Sequence, residues 1–157
     1  MRSRVYLFAL AAVIAIAAPA FAQRGTEGGV IGQVPTHGNV TARIFTSAVL
    51  TDAAGNPIGK VKTATVQTTD RGIVEGLRVQ VTGVTPNTEF ALVIDRTLVG
   101  TSTSSATGVL RFKFIAPTNG RTPAIPDAIR PIATASTVQI FNAATQQLVA
   151  SGEFRRG

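Results

Sequence analysis

The chain has 157 residues, with 15 Lys and Arg against 8 Asp and Glu, a formal net charge of +7, one His, no Cys and no Trp. That length fits one domain. The lack of cysteine excludes a disulfide framework, a thiolate metal site and a cysteine nucleophile, and a single imidazole cannot supply the two or three nitrogens of a usual zinc or copper centre.

Residues 1–22 read as an export leader. Arg2 and Arg4 are basic, Val5 to Ala18 is an apolar run of about 14 residues, and Ala20-Phe21-Ala22 has the small-x-small pattern that a signal peptidase cuts. The run stops at Pro19, short of the roughly 20 apolar residues of a membrane span. The expectation is cleavage after Ala22 and export by a Sec-type signal to the periplasm, the cell surface or the medium. Taking 22 from 157 leaves 135 residues, and losing Arg2 and Arg4 from the 15 basic residues leaves 13 against 8 acidic ones. Such an excess favours anionic neighbours, among them lipopolysaccharide, acidic polysaccharide and nucleic acid.

Residues 23–39, QRGTEGGVIGQVPTHGN, are dense in glycine and carry no sustained period, which is the texture of a flexible N-terminal segment. From Val40 onward Val, Ile, Thr and Phe dominate in short runs that end at Gly, Pro, Asn, Asp or Ser, and no helical stripe persists. Strands are expected at Val40 to Thr51, Lys60 to Thr69, Val74 to Val84, Thr88 to Asp95, Thr97 to Thr103, Val109 to Ala116, Ser136 to Asn142 and Gln147 to Phe154. Hairpin turns are expected at Asp52 to Pro57, Asp95-Arg96, Ser104 to Gly108 and Ala143 to Gln146.

Alternation assigns the faces. Leu77, Val79 and Val81 share one side and Arg78, Gln80 and Thr82 the other; Phe112 and Phe114 likewise oppose Arg111 and Lys113. Phe90 to Ile94 is apolar on both sides, as in a central or covered strand. Residues 40–157 are therefore expected to form one all-β domain, an immunoglobulin-like antiparallel β-sandwich of about 7–8 strands, with a β-barrel as the alternative. The proline-rich segment 117–131, PTNGRTPAIPDAIRP, is expected as a crossover with one helical turn near Asp127-Ala128-Ile129, its Ile125 and Ile129, with Ile132 just beyond, capping an open end of the core.

The stretch Val84-Thr85-Pro86-Asn87-Thr88-Glu89-Phe90-Ala91-Leu92-Val93-Ile94 resembles the turn and strand of fibronectin type III and related immunoglobulin-like domains. The resemblance covers residues 84–94 and implies a sandwich scaffold, with Phe90 where that family usually has a tyrosine that bonds back to the turn. It implies nothing about activity.

Chemistry is sparse. His37 falls in the glycine-rich segment, and a mobile arm cannot hold a catalytic base within reach of a nucleophile. The acidic residues are scattered singly; Asp52, Asp70 and Asp95 have the setting of turn formers, and no calcium-loop spacing occurs. The sole tyrosine, Tyr6, belongs to the leader, and Phe90, Phe112 and Phe114 fall on apolar faces, so a stacking-type nucleic-acid or sugar site is not expected. No catalytic, cofactor-binding or metal-ligating residue is assigned, and no cofactor is implied.

What remains is a set of cations on polar faces. Lys60 and Lys62 project together, as do Arg111 and Lys113, and if their strands adjoin that of Arg78 a basic stripe forms that could hold phosphate or carboxylate groups. The competing explanation is that these charges guard edge strands against aggregation. Sequence thus supports an exported non-catalytic protein with a structural, adhesive or protein-interaction role. The alternatives are an anion-binding module using Lys60, Lys62, Arg78, Arg111 and Lys113, and a fibre subunit whose arm at Gly29 to Val40 adds a strand to a neighbour.

Overall fold

The computed structural model of the protein describes residues 40–156; the leader at 1–22 and the segment 23–39, His37 included, lie outside the described residues. Among the described residues nine strands form: β1 (Val40–Thr51), β2 (Pro57–Thr68), β3 (Gly72–Thr82), β4 (Glu89–Ile94), β5 (Thr97–Thr103), β6 (Val109–Ala116), β7 (Thr137–Asn142), β8 (Leu148–Glu153) and β9 (Arg155–Arg156). Their branched and aromatic side chains suit a pleated surface, and local turn chemistry joins β1 to β2 and β4 to β5. The Asp52 carboxylate accepts hydrogen bonds from the backbone N–H groups of Ala54 and Asn56 at 2.9 and 2.8 Å, closing the β1–β2 turn. Asp95 and Arg96 both adopt left-handed backbone, φ 45° and 68°, which matches the strand twist in the two-residue β4–β5 hairpin.

All strand pairs are antiparallel, in the order β5-β4-β7-β8-β1-β2-β3-β6, with β9 beside β1. One sheet carries all nine strands of the described residues, and it curls until it is nearly closed and barrel-like. This fits the barrel alternative; the immunoglobulin-like sandwich, which needs two separate sheets, is not confirmed by such pairing. The tie between the two halves is made by β1 against β8 and β9. Thr51 faces Ser151, Ser47 faces Arg155 and Thr46 faces Arg156, all in one register, so the last strands continue a single ladder. The two-residue β9 is too short to leave a periodic signal in the sequence.

Inward side chains fill the barrel. Leu50, Val61, Leu77, Val81, Leu92, Ile94, Leu110, Val138 and Ile140 have no exposed surface, and each such side chain contributes roughly 1.5–3 kcal/mol by leaving water. The seam lies between β5 and β6. Contrary to the hairpin expected at Ser104 to Gly108, these strands form no ladder with each other among the described residues. They are joined instead by side chains: the Ser102 hydroxyl donates to the Arg111 carbonyl at 2.9 Å, and the Phe114 ring lies so close over Gly100 that a Cβ there would sit 3.0 Å from it.

One end of the barrel is closed by the crossover after β6. A 3-10 turn forms at Asp127–Ile129, as expected, and another at Ile132–Thr134; Ile125, Ile129 and Ile132 are all buried. Glu75, on an inward position of β3 and 1% exposed, clamps this segment. Its carboxylate accepts from Arg130 Nε at 2.6 Å and from the Ile132 backbone N–H at 2.7 Å.

Candidate anion-binding face

Register decides where the cations fall. The β2–β3 ladder sets Lys60 opposite Gln80 and Lys62 opposite Arg78, and the β3–β6 ladder sets Arg78 opposite Lys113 and Gln80 opposite Arg111. Directly paired residues point to the same face, with strands about 4.8 Å apart and successive rungs of a face about 6.7 Å apart. The five candidate residues, Lys60, Lys62, Arg78, Arg111 and Lys113, therefore share the outer face of three adjacent strands, and all are exposed. One rung reads Lys62-Arg78-Lys113; the next reads Lys60-Gln80-Arg111. Between them along the chain, Val61, Val79 and Phe112 point inward and are buried, so core packing fixes the backbone that presents the charges.

The edge-guarding explanation requires charges on edge strands. Lys60, Lys62 and Arg78 are instead on β2 and β3, which have a partner on both sides; only Arg111 and Lys113 lie on an end strand. None of the five has an acidic partner among the described residues, where the ion pairs are Arg71 with Asp70 and Arg130 with Glu75 and Asp127. Like charges set directly opposite across a ladder are destabilising.

Arg155 was not among the sequence-derived candidates. It pairs with Ser47 of β1, and Ser47 pairs with Lys62, which extends the first rung to Arg155-Ser47-Lys62-Arg78-Lys113 across five strands. Only knowledge of the β1–β9 register could have placed it. Where this rung meets β1, the outer surface dips into a groove of about 520 Å³ whose lining includes Ser47, Val49, Gln139, Ser151, Glu153 and Arg155. Val49 is 60% exposed there.

Other charged residues serve the fold. Asp95 had the sequence setting of a local turn former, but its carboxylate reaches across to the start of β7, accepting from the backbone N–H groups of Ser136 and Thr137 and from the Thr137 hydroxyl at 2.8–3.1 Å. Asp52 behaves as a turn former, and hydrogen bonds from the Asn56 side chain and backbone hold its carboxyl below the ordinary carboxylate value. The Glu75 carboxylate raises the Arg130 guanidinium above its already high value, locking it as a cation. The turn at Thr85 to Thr88 is held by the buried Ser104, whose hydroxyl donates to the Thr85 carbonyl at 2.6 Å and accepts from the Thr88 N–H at 3.1 Å. Phe90 below it is buried. Among the described residues no three Asp, Glu or His side chains gather as a metal site, and no helix is long and apolar enough to cross a membrane.

Comparison of the chain with protein-family models, with curated proteins and with solved structures finds no match, so the likeness of residues 84–94 to fibronectin type III domains gains no support there and the basic face stands on its geometry alone.

Proposed function

We propose that this chain is an exported, non-catalytic binding module that adheres to anionic polymers through the outer face of β2, β3 and β6. The observation that carries the reading is the like-charge rung Lys62-Arg78-Lys113, set mainly on interior strands and without acidic partners among the described residues. A sheet gains nothing in stability from three cations side by side. An anionic ligand reverses that balance, because each phosphate, sulfate or carboxylate placed over the rung replaces repulsion with charge-assisted hydrogen bonds. The adhesive role read from the sequence then needs no cleft.

The test is retention on immobilised heparin. The protein is expected to bind at low salt and to elute as salt rises, with a steep dependence on concentration. Arg111→Gln with Lys113→Gln should elute much earlier, whereas Arg96→Gln with Arg121→Gln, which removes the same charge elsewhere, should elute near the unaltered protein. Equal losses from the two double variants would mean that net charge, not this face, does the binding.

A further inference from the structure

We infer that the ligand is a linear acidic polysaccharide lying across the strands rather than along them, and that Arg155 on β9 anchors its far end. This rests on the anion-binding reading and adds a direction, a length and a ligand class to it. Along any one strand the outer face offers at most two cations in succession, Lys60 and Lys62 on β2 or Arg111 and Lys113 on β6. Beyond them the positions of the same parity are apolar or small: the buried Ala64 and Val66 on β2, Gly76 on β3 and the half-buried Ile115 on β6. Across the strands, one rung carries four, Arg155, Lys62, Arg78 and Lys113, broken only by Ser47. From β9 to β6 that rung spans four strand steps, about 19 Å. A thin chain with one negative group per repeat follows such a row; a strand-parallel chain leaves most of it unused.

The surroundings select the class of polymer. Single-stranded nucleic acid gains much of its affinity from bases stacked on aromatic rings, and the side chains of the two rungs include none. They supply instead Gln80 between Lys60 and Arg111, and at the Arg155 end the groove with Ser47, Gln139 and Ser151. Hydroxyl and amide groups of this kind exchange hydrogen bonds with sugar hydroxyls, and the exposed Val49 offers an apolar spot to a ring face. The outside of a barrel-like sheet is convex, which favours contact with one narrow chain over contact with a flat membrane. Glu153, two residues before Arg155 in the chain, lines the same groove and sets an acidic group beside that end of the row.

The experiment measures binding of the protein to polygalacturonate, to monomeric and dimeric galacturonate, to duplex DNA and to phosphatidylglycerol vesicles, at equal concentrations of negative charge. Long polygalacturonate is expected to bind best, and the monomer and dimer at least tenfold more weakly. Arg155→Gln, an exposed change that keeps the backbone pairing with Ser47, should weaken long-polymer binding about 2- to 5-fold, the range of one exposed ion pair. It should leave dimer binding unchanged, because the dimer is held at Lys62, Arg78 and Lys113. If Arg155→Gln has no effect while Arg111→Gln with Lys113→Gln abolishes binding, the cross-strand row is wrong and the anion-binding reading survives. Tighter binding to duplex DNA or vesicles than to polygalacturonate overturns the polysaccharide assignment. Failure of the unaltered protein to bind any of the five defeats both inferences.

Discussion

Substituting Arg78→Gln sets stability against binding. Arg78 is the middle cation of its rung, with Lys62 directly opposite on β2 and Lys113 directly opposite on β6. For two unit charges held about 7 Å apart, a little wider than the roughly 5 Å between the Cβ atoms of directly opposed residues, Coulomb repulsion in water is about 0.6 kcal/mol. Screening leaves about 0.5 kcal/mol per pair at 0.01 M salt, where the Debye length is about 30 Å, and less than about 0.1 at 1 M, where it is about 3 Å. Two pairs make the cation a burden of about 1 kcal/mol at low salt. Gln keeps part of the stem and the same outward direction, so the variant should be more stable than the parent by about that amount, a rise in Tm of about 3–4 °C for a domain of this size. Urea or thermal denaturation followed by far-ultraviolet circular dichroism measures the difference, repeated from about 0.01 to 1 M sodium chloride. The gain should vanish at high salt while heparin retention falls. A variant less stable than the parent at low salt, or a gain independent of salt, would refute the claim that this rung is held together against its own repulsion.

Further tests address the fold. Arg130→Met strands the buried Glu75 carboxylate with only the Ile132 N–H for company; breaking a buried pair costs about 3–5 kcal/mol, and the 34% exposure of the Arg130 side chain places the expected loss near the lower figure. Adding Glu75→Gln should recover part of that loss in a double-mutant cycle, and a double variant no better than Arg130→Met would show that the charge is not the cause. Asp52 supplies a pH dependence. Hydrogen bonds from Asn56 hold its folded carboxyl below the ordinary carboxylate value, so its stabilisation is present above the unfolded value and is lost as pH falls through the folded one. The Tm difference between the protein and Asp52→Asn should therefore be constant near neutrality and shrink below about pH 4; a constant offset down to acid pH would assign the effect to shape rather than charge.

Much of this architecture is written in short-range patterns. Strands β1, β5 and β6 have the bounds expected from the sequence, because period-two alternation and turn residues act within a few positions. The isoleucines at 125, 129 and 132 cap the core as their spacing after β6 suggests. Closure was not legible. It depends on Gly100 admitting the Phe114 ring and on Ser47 and Thr46 of β1 pairing with Arg155 and Arg156, more than a hundred positions away. The candidate face was half legible: alternation named the outward cations, but which cation stands beside which is a matter of register between strands far apart in sequence. Glu75 shows the same limit, since its partners Arg130 and Ile132 are more than fifty positions away.

The seam has a bearing on how this molecule meets others. Its two terminal edges, β5 and β6, confront each other, and the free side of β6 is further occupied where the Ile115 N–H donates to the Pro123 carbonyl and the Ile125 N–H to the Ile115 carbonyl. A strand offered by a neighbouring molecule would have to pull Phe114 away from Gly100 and the Ser102 hydroxyl off the Arg111 carbonyl before finding backbone to zip onto. The barrel's borders are engaged with one another, which leaves its broad flank as the accessible place for company.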